Sequence, residues 1–215
     1  MVTVFGAKYS VYTRIVRLAL EEKGVSYRFS EVDIFAEAEV PKAYFDRHPF
    51  AKIPAFEHED CRLYETGAIA RFVDEAFDGP DLQPSSAVDR ARMNQVISIA
   101  DSYGYPKLVW DIFVERKRKE DEANEERIID ALPFAETIVD ELSRLKSDDQ
   151  WLAGAQPSLA DCYVAPMLVL FRLTPEGGAM LVENQNLGDW LDRFCARASA
   201  VATQFPIEAS GLNSK

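Results

Sequence analysis

One change of texture limits this chain more than any other feature. From Met1 to about Asp78 the segments are short and alternate. Val2-Thr3-Val4-Phe5 and Tyr27 to Asp33 read as strands around a helix from about Tyr12 to Lys23, which Gly24 closes. Gly79-Pro80-Asp81-Leu82-Gln83-Pro84-Ser85-Ser86 then interrupts both helix and strand, and everything after it reads helical. The expected layout is a mixed domain over residues 1–78, a linker over 79–86 and an all-helical domain over 87–215.

Within the first part, a short helix or irregular link around Lys42 to Arg47 precedes the stretch His48 to Ile69. Ile53-Pro54 heads a short apolar run, the EHED cluster turns, and Cys61 to Tyr64 reads as a second strand. An Ile-Pro bond at a strand head can be cis, which would free the preceding backbone to pair with an extended ligand. Glu65-Thr66 then opens a helix with Ile69, Phe72, Val73 and Ala76 on one face. Thr66 is the expected N-cap, and the amides behind it suit a carboxylate.

The helical part carries its own signals. Ile128, Leu132, Ala135, Val139 and Leu142 recur at four and three, so one face of that helix should pack. The charge-dense region from Glu115 to Glu141 reads as a solvated face and connecting loop. Ser158-Leu159-Ala160-Asp161 has the form of a capping box that starts a helix, which Pro166 should kink. Gly104 and Pro106 in SYGYPKLVW should bend or break a helix there.

Charge excludes some partners. A net charge of -12 makes nucleic acid and anionic membrane surfaces poor candidates. Cys61, Cys162 and Cys195 are widely spaced with no histidine cluster nearby, which argues against a disulfide framework or a metal site. With neither a long apolar run nor a secretory h-region at the start, the expected address is the reducing cytoplasm.

Four segments, VFGAKYSVYTRIVRLALEEKG, HPFAKIPAF, YETGAIARFVDE and PSLADCYVAPML, stand in an order and spacing that resemble a soluble glutathione transferase, nearest to the serine-type phi, tau and theta groups. The resemblance implies an α/β plus all-α chain: a thioredoxin-like N-terminal domain and a C-terminal helical-bundle domain, usually in a homodimer. Glutathione would be the co-substrate on the first domain, with a small hydrophobic electrophile between domains. Ser10 occupies the position of the family's catalytic serine. Ile53 matches the residue whose backbone pairs with the cysteinyl part of glutathione, and Glu65 and Thr66 match those that hold its γ-glutamyl end. Lys52 matches a lysine that can approach the glycine-end carboxylate.

Alternatives remain at each point. Tyr12 rivals Ser10 as thiol donor, and Tyr9 and Thr13 also carry hydroxyls nearby. Tyr12, Tyr103, Tyr105 and Trp110, with Phe113, are dense enough to line an electrophile pocket, although such density also suits core packing. The basic residue that phi and tau members usually carry upstream is Glu39 or Val40 here, so Lys8, Lys42 and Lys52 are the candidate local cations. Phe50 is a candidate aromatic key at a subunit contact. Two other activities fit the same resemblance: glutathione-dependent reduction of organic hydroperoxides, and a non-catalytic glutathione-binding or interaction scaffold.

Overall fold

The computed structural model describes residues 1–36, 41–119 and 121–211. Glu39 and Val40 lie outside them. The chain forms two compact units, one comprising Met1–Asp81 together with the segment from Arg197 onward, the other Leu82–Ala196.

In the first unit, β1 (Val2–Gly6), α1 (Val11–Glu22) and β2 (Tyr27–Glu31) form the expected βαβ, with β1 and β2 parallel. A 3-10 turn (Lys42–Tyr44) precedes β3 (Ala55–His58), β4 (Cys61–Tyr64) and α2 (Thr66–Ala76). The sheet order is β2-β1-β3-β4, with β3 antiparallel to both its neighbours. Strand β1 is buried along its whole length, and α1 buries Ile15, Val16, Leu18 and Leu20 completely. Each such side chain contributes about 1.5–3 kcal/mol by leaving water.

The C-terminal segment corrects the expected layout, because α9 (Ala198–Ala202) and α10 (Pro206–Gly211) join the first unit and not the helical one. The cause lies on α1. Arg14 is 2% exposed, and its guanidinium pairs with Glu208, donates to the Ala200 carbonyl and lies 4.4 Å above the Phe205 ring. Arg17 donates to the Ala202 carbonyl, and Arg197 makes two bonds to Glu22 at 2.7 and 2.6 Å. A buried guanidinium is tolerable only with acceptors around it, and the last segment supplies them.

The second unit starts with α3 (Ala87–Ile99), capped by the Ser86 side chain. It runs without a break into a π-helical stretch (Ala100–Val114) and then α4 (Glu115–Lys117), since Ile99, Ala100 and Glu115 all have helical dihedrals. Of the bend or break expected at Gly104 and Pro106, the break is therefore absent. A π turn is wider than an α turn and accommodates a proline ring that would otherwise strike the carbonyl one turn back. Helix α5 (Glu125–Lys146) is capped by Asn124 and buries Ile128, Ala135, Val139 and Leu142 of the face that the spacing predicts, while Leu132, the fifth residue of that face, is half-buried.

Helix α6 (Leu159–Arg172) is buried at every position up to Phe171, as a central helix must be, and it continues through Pro166. Ser158 and Asp161 form the capping box. Helices α7 (Pro175–Glu183) and α8 (Gln185–Cys195) complete the unit. The charged region before and within α5 is more than a solvated face. Glu115 is 1% exposed and pairs with Arg118 and Arg127, while Arg116 pairs with Glu125 and Glu176.

Candidate functional site

The sheet register gathers three segments of the first unit at one end of the sheet. Phe5 on β1 pairs with Ala55 on β3, and Ala55 pairs with Tyr64 on β4. The loop that leaves β1 towards Ser10, the Ile53-Pro54 entry to β3 and the Tyr64-Glu65 exit from β4 are therefore neighbours. Phe5, Ala7, Tyr44, Ile53 and Ala55 form one buried apolar cluster beneath them.

Ser10 is the N-cap of α1. Its backbone is extended (φ -80°, ψ 125°), its amide donates to the Ala7 carbonyl at 3.1 Å, and its Oγ accepts the Thr13 amide at 3.2 Å. A hydroxyl that serves as acceptor in this way still has its own proton to give. The macrodipole of a twelve-residue helix points its positive end at the same place.

The neighbouring hydroxyls differ. The Tyr9 hydroxyl donates to Asp33 Oδ1 at 2.6 Å. Burial and the adjacent Asp33 carboxylate push the Tyr9 phenol well above its ordinary range. Thr13 is fully buried beneath Gly6, where a Cβ added to the glycine would lie 2.4 Å from Thr13 Oγ1. Tyr12 is half-buried on the first turn of α1. Of these groups, Ser10 combines a cap position, partial exposure and an uncommitted proton.

The Ile53-Pro54 peptide bond is cis. The β1–β3 ladder begins at Ala55, so the backbone of Ile53 lies outside it. The Ile53 side chain is buried, and the Tyr44 hydroxyl donates to the Lys52 carbonyl at 2.8 Å, which fixes the approach to this position. Burial pushes the Tyr44 phenol up to about 12, so it stays a donor throughout the physiological range. The Lys52 side chain is exposed.

Glu65, and not Thr66, holds the N-cap position of α2, and Thr66 is the first helical residue. Glu65 makes no side-chain cap bond, and its backbone takes φ 69° and ψ 115°. For a non-glycine residue this conformation costs about 1–3 kcal/mol and marks a place where function and fold compete. Its carbonyl accepts from the Ala68 and Ile69 amides, both at 3.0 Å, while its carboxylate stays exposed. Thr66 is 8% exposed.

Sequence reasoning passed over His48. Its ring is 3% exposed, lies 5.0 Å from the Tyr64 ring and 6.2 Å from the Phe50 ring, and its Nδ1 is buried with no hydrogen-bond partner. The proline that follows it was the visible signal, because it pins the backbone where this ring turns inward.

The residues expected around an electrophile fall on both units. Tyr12 belongs to the first. Tyr103, Tyr105 and Trp110 lie on the π-helical stretch of the second, where Tyr105 and Trp110 meet edge-on at 6.3 Å and Tyr103 is 57% exposed. Burial raises the Tyr105 phenol.

Comparison with known proteins places this geometry in context. Residues 1–75 match the family described as glutathione S-transferase, N-terminal domain, and residues 125–193 match glutathione S-transferase, C-terminal domain. The chain is 28% identical over 204 residues to glutathione S-transferase F10 of Arabidopsis thaliana, covering 93% of this chain and 94% of that one. It is also 26% identical over 168 residues to the stringent starvation protein A homolog of Haemophilus influenzae, covering 78% of this chain and 74% of the relative. The crystal structure of glutathione transferase F7 from Populus trichocarpa superposes with a TM-score of 0.84 at 23% identity, over 99% of this chain and 100% of that one, a likeness of fold. With both of its domains matched in order, the chain belongs to the glutathione S-transferase family.

Proposed function

We propose that this transferase binds glutathione at the sheet end formed by Ser10, Lys52, Ile53, Glu65 and Thr66, ionises its thiol and adds the thiolate to small hydrophobic electrophiles. The observation that carries the reading is the Ser10 cap. With Oγ held by the Thr13 amide at 3.2 Å, the hydroxyl proton is available to a sulfur placed before α1. A free thiol has a pKa of about 8.5, so a depression of two units favours the anion by about 2.7 kcal/mol. One charge-assisted hydrogen bond together with a helix N-terminus is of that order.

Each part of the tripeptide has a matching group. The exposed Glu65 carboxylate suits the ligand ammonium, the first turn of α2 at Thr66 suits the γ-glutamyl carboxylate, and the unladdered backbone of Ile53 suits the cysteinyl amide. Lys52 suits the glycine-end carboxylate. In the conjugation step a sulfur–carbon bond forms and the leaving group departs with the bonding pair. Tyr12, on the first turn of α1 just after Ser10, is the proposed wall for the electrophile. The setting is the cytoplasm. The oligomer is a homodimer in which Phe50, 67% exposed, reaches the second subunit, and a 24 kDa species in sedimentation at micromolar concentration would contradict it.

The test is Ser10→Ala. Conjugation of a halonitrobenzene should fall at least tenfold, glutathione affinity should stay nearly intact, and the thiolate absorbance of bound glutathione should fade. Equal activity in the variant would move the role to Tyr12. One observation favours a second reading, a non-catalytic glutathione-binding scaffold: a relative that spans most of this chain is named as a stringent starvation protein A homolog and not as a transferase. Calorimetry separates the two. Glutathione bound with an unshifted thiol supports the scaffold.

A further inference from the structure

The two segments assigned above to glutathione, Lys52-Ile53 and Glu65-Thr66, are joined by a ring cluster. His48 packs on Tyr64, the residue before Glu65, with ring centroids 5.0 Å apart, and edge-on to Phe50 at 6.2 Å; Phe50 and Tyr64 are 6.3 Å apart. The His48 carbonyl accepts the Ala51 amide at 2.9 Å, and its own amide donates to the Tyr44 carbonyl at 3.0 Å. Both segments leave this cluster through residues with positive φ that are not glycine, Ala51 at 50° and Glu65 at 69°. Such conformations persist only where the surroundings over-determine them, and the His48 ring is what the two surroundings share.

We propose that neutral His48 is a positioning residue for glutathione, holding the Lys52-Ile53 and Glu65-Thr66 segments in register, and that its protonation releases them and weakens ligand binding. The inference rests on the glutathione site proposed above. The physical reason is the Nδ1 atom. A neutral imidazole protonated on Nε2 leaves Nδ1 as a bare acceptor, which a buried apolar setting tolerates. An imidazolium needs an acceptor at both nitrogens, and Nδ1 is buried with none.

The groups that face His48 act in opposite senses. Burial lowers its pKa, the Glu65 carboxylate opposes that by favouring the cation, and the Lys52 ammonium reinforces it. The net direction is below the ordinary 6.5. The rings that face His48 are those of Tyr64 and Phe50, and the elements packed against it also carry Lys42, Tyr44, Cys61 and Arg62. When the ring does charge, the carboxylate that favours the cation is that of Glu65. The imidazolium then competes with the ligand's ammonium for that group, while its movement towards an acceptor disturbs Tyr64. The ligand binds the neutral form better, so by linkage it also lowers the pKa of His48.

S-methylglutathione is the probe, because it has no thiol and its binding cannot report on Ser10. Calorimetry at pH 7.5 and 5.5 should show wild-type affinity at least threefold weaker at the lower pH, whereas His48→Asn should be weaker than wild type at pH 7.5 and change less than twofold between the two. Parallel pH profiles in the two proteins would overturn the inference and leave the site assignment standing. No binding to wild type at pH 7.5 would overturn both.

Should His48→Asn fold poorly, titration of the unaltered His48 decides. The chain has two histidines, so the His58→Asn protein leaves a single imidazole to follow by NMR titration. Its pKa should fall when saturating S-methylglutathione is added, and an unchanged value would overturn the proposal.

Discussion

Trp190 Nε1 donates to Asp161 Oδ1 at 2.8 Å, and both side chains are completely buried. The same carboxylate accepts the Leu152 amide at 3.0 Å, and its second oxygen accepts the amide and hydroxyl of Ser158 at 2.8 and 2.9 Å. Four donors converge on one acid, so the start of α6, the Trp151–Gly154 turn and α8 share a single anchor.

Asp161→Asn tests that anchor. An amide of the same shape offers one accepting oxygen and turns an NH₂ group towards donors, which leaves at least one buried donor unpaired. The expected loss is about 3 kcal/mol or more, which for a chain of this size lowers the melting midpoint by about 6–12 °C. Thermal unfolding followed by circular dichroism reads it, and a midpoint within 2 °C of wild type would show that the network is not stabilising.

Tyr9→Phe separates two hydroxyls that sequence leaves side by side. The Tyr9 proton is already given to Asp33 at 2.6 Å, and the ring packs on Phe35 at 5.9 Å, so its loss should loosen the 33–36 turn and leave thiol ionisation alone. Conjugation by the variant should stay within about twofold of wild type. A tenfold fall, matching that expected for Ser10→Ala, would mean that the phenol releases Asp33 to reach the sulfur when glutathione binds.

How much of this was legible in the sequence depends on the range of the interaction. The βαβ and ββα order, the Ile53-Pro54 entry and the face of α5 rest on neighbours a few residues apart, and pattern alone carries them. Arg14 and Glu208 are 194 positions apart, so nothing in the composition of the last twenty residues indicates that they lie on α1. Gly104 and Pro106 read as breakers because propensity assumes an α turn, and the wider π stretch removes the clash behind that rule. The Glu65 cap was misread as Thr66 because a hydroxyl is the better cap by propensity, whereas the strand exit from β4 dictates the backbone here. His48 escaped notice for a related reason. A lone histidine before proline has no period, and the ring that packs nearest to it, Tyr64, comes from β4.

Glu22 should make stability acid-sensitive through the C-terminal segment. Burial raises its pKa, but the bonds from Arg197 and Ser199 outweigh burial and hold it below the ordinary 4.5. A folded-state pKa below the unfolded one means that the contribution is fully present above 4.5 and is lost as pH falls through the folded value. Urea midpoints from pH 7 to pH 3 should therefore show Glu22→Gln less stable than wild type at neutrality, with the gap closing below about pH 4.5. A gap that stays constant with pH would assign the effect of the substitution to packing and not to charge.

Gly104 offers the opposite kind of change, a gain. It lies on the π-helical stretch without a positive φ and borders a small apolar cavity lined by Leu108, Ile138, Leu142, Val164 and Met167. A Cβ there would meet Met167 Sδ at 3.6 Å and the Ile99 carbonyl oxygen at 3.7 Å, both ordinary contact distances. Alanine removes the backbone entropy cost of glycine and fills part of the void, so Gly104→Ala should stabilise by about 1 kcal/mol. Gly104→Leu carries three more carbons into a cavity that small and should lose about 1–3 kcal/mol by overpacking. Chemical denaturation of the pair gives both signs at once. Loss of stability in the alanine variant would show that the π-helical backbone itself requires glycine, and that the cavity is set by the helix geometry and not by an absent side chain.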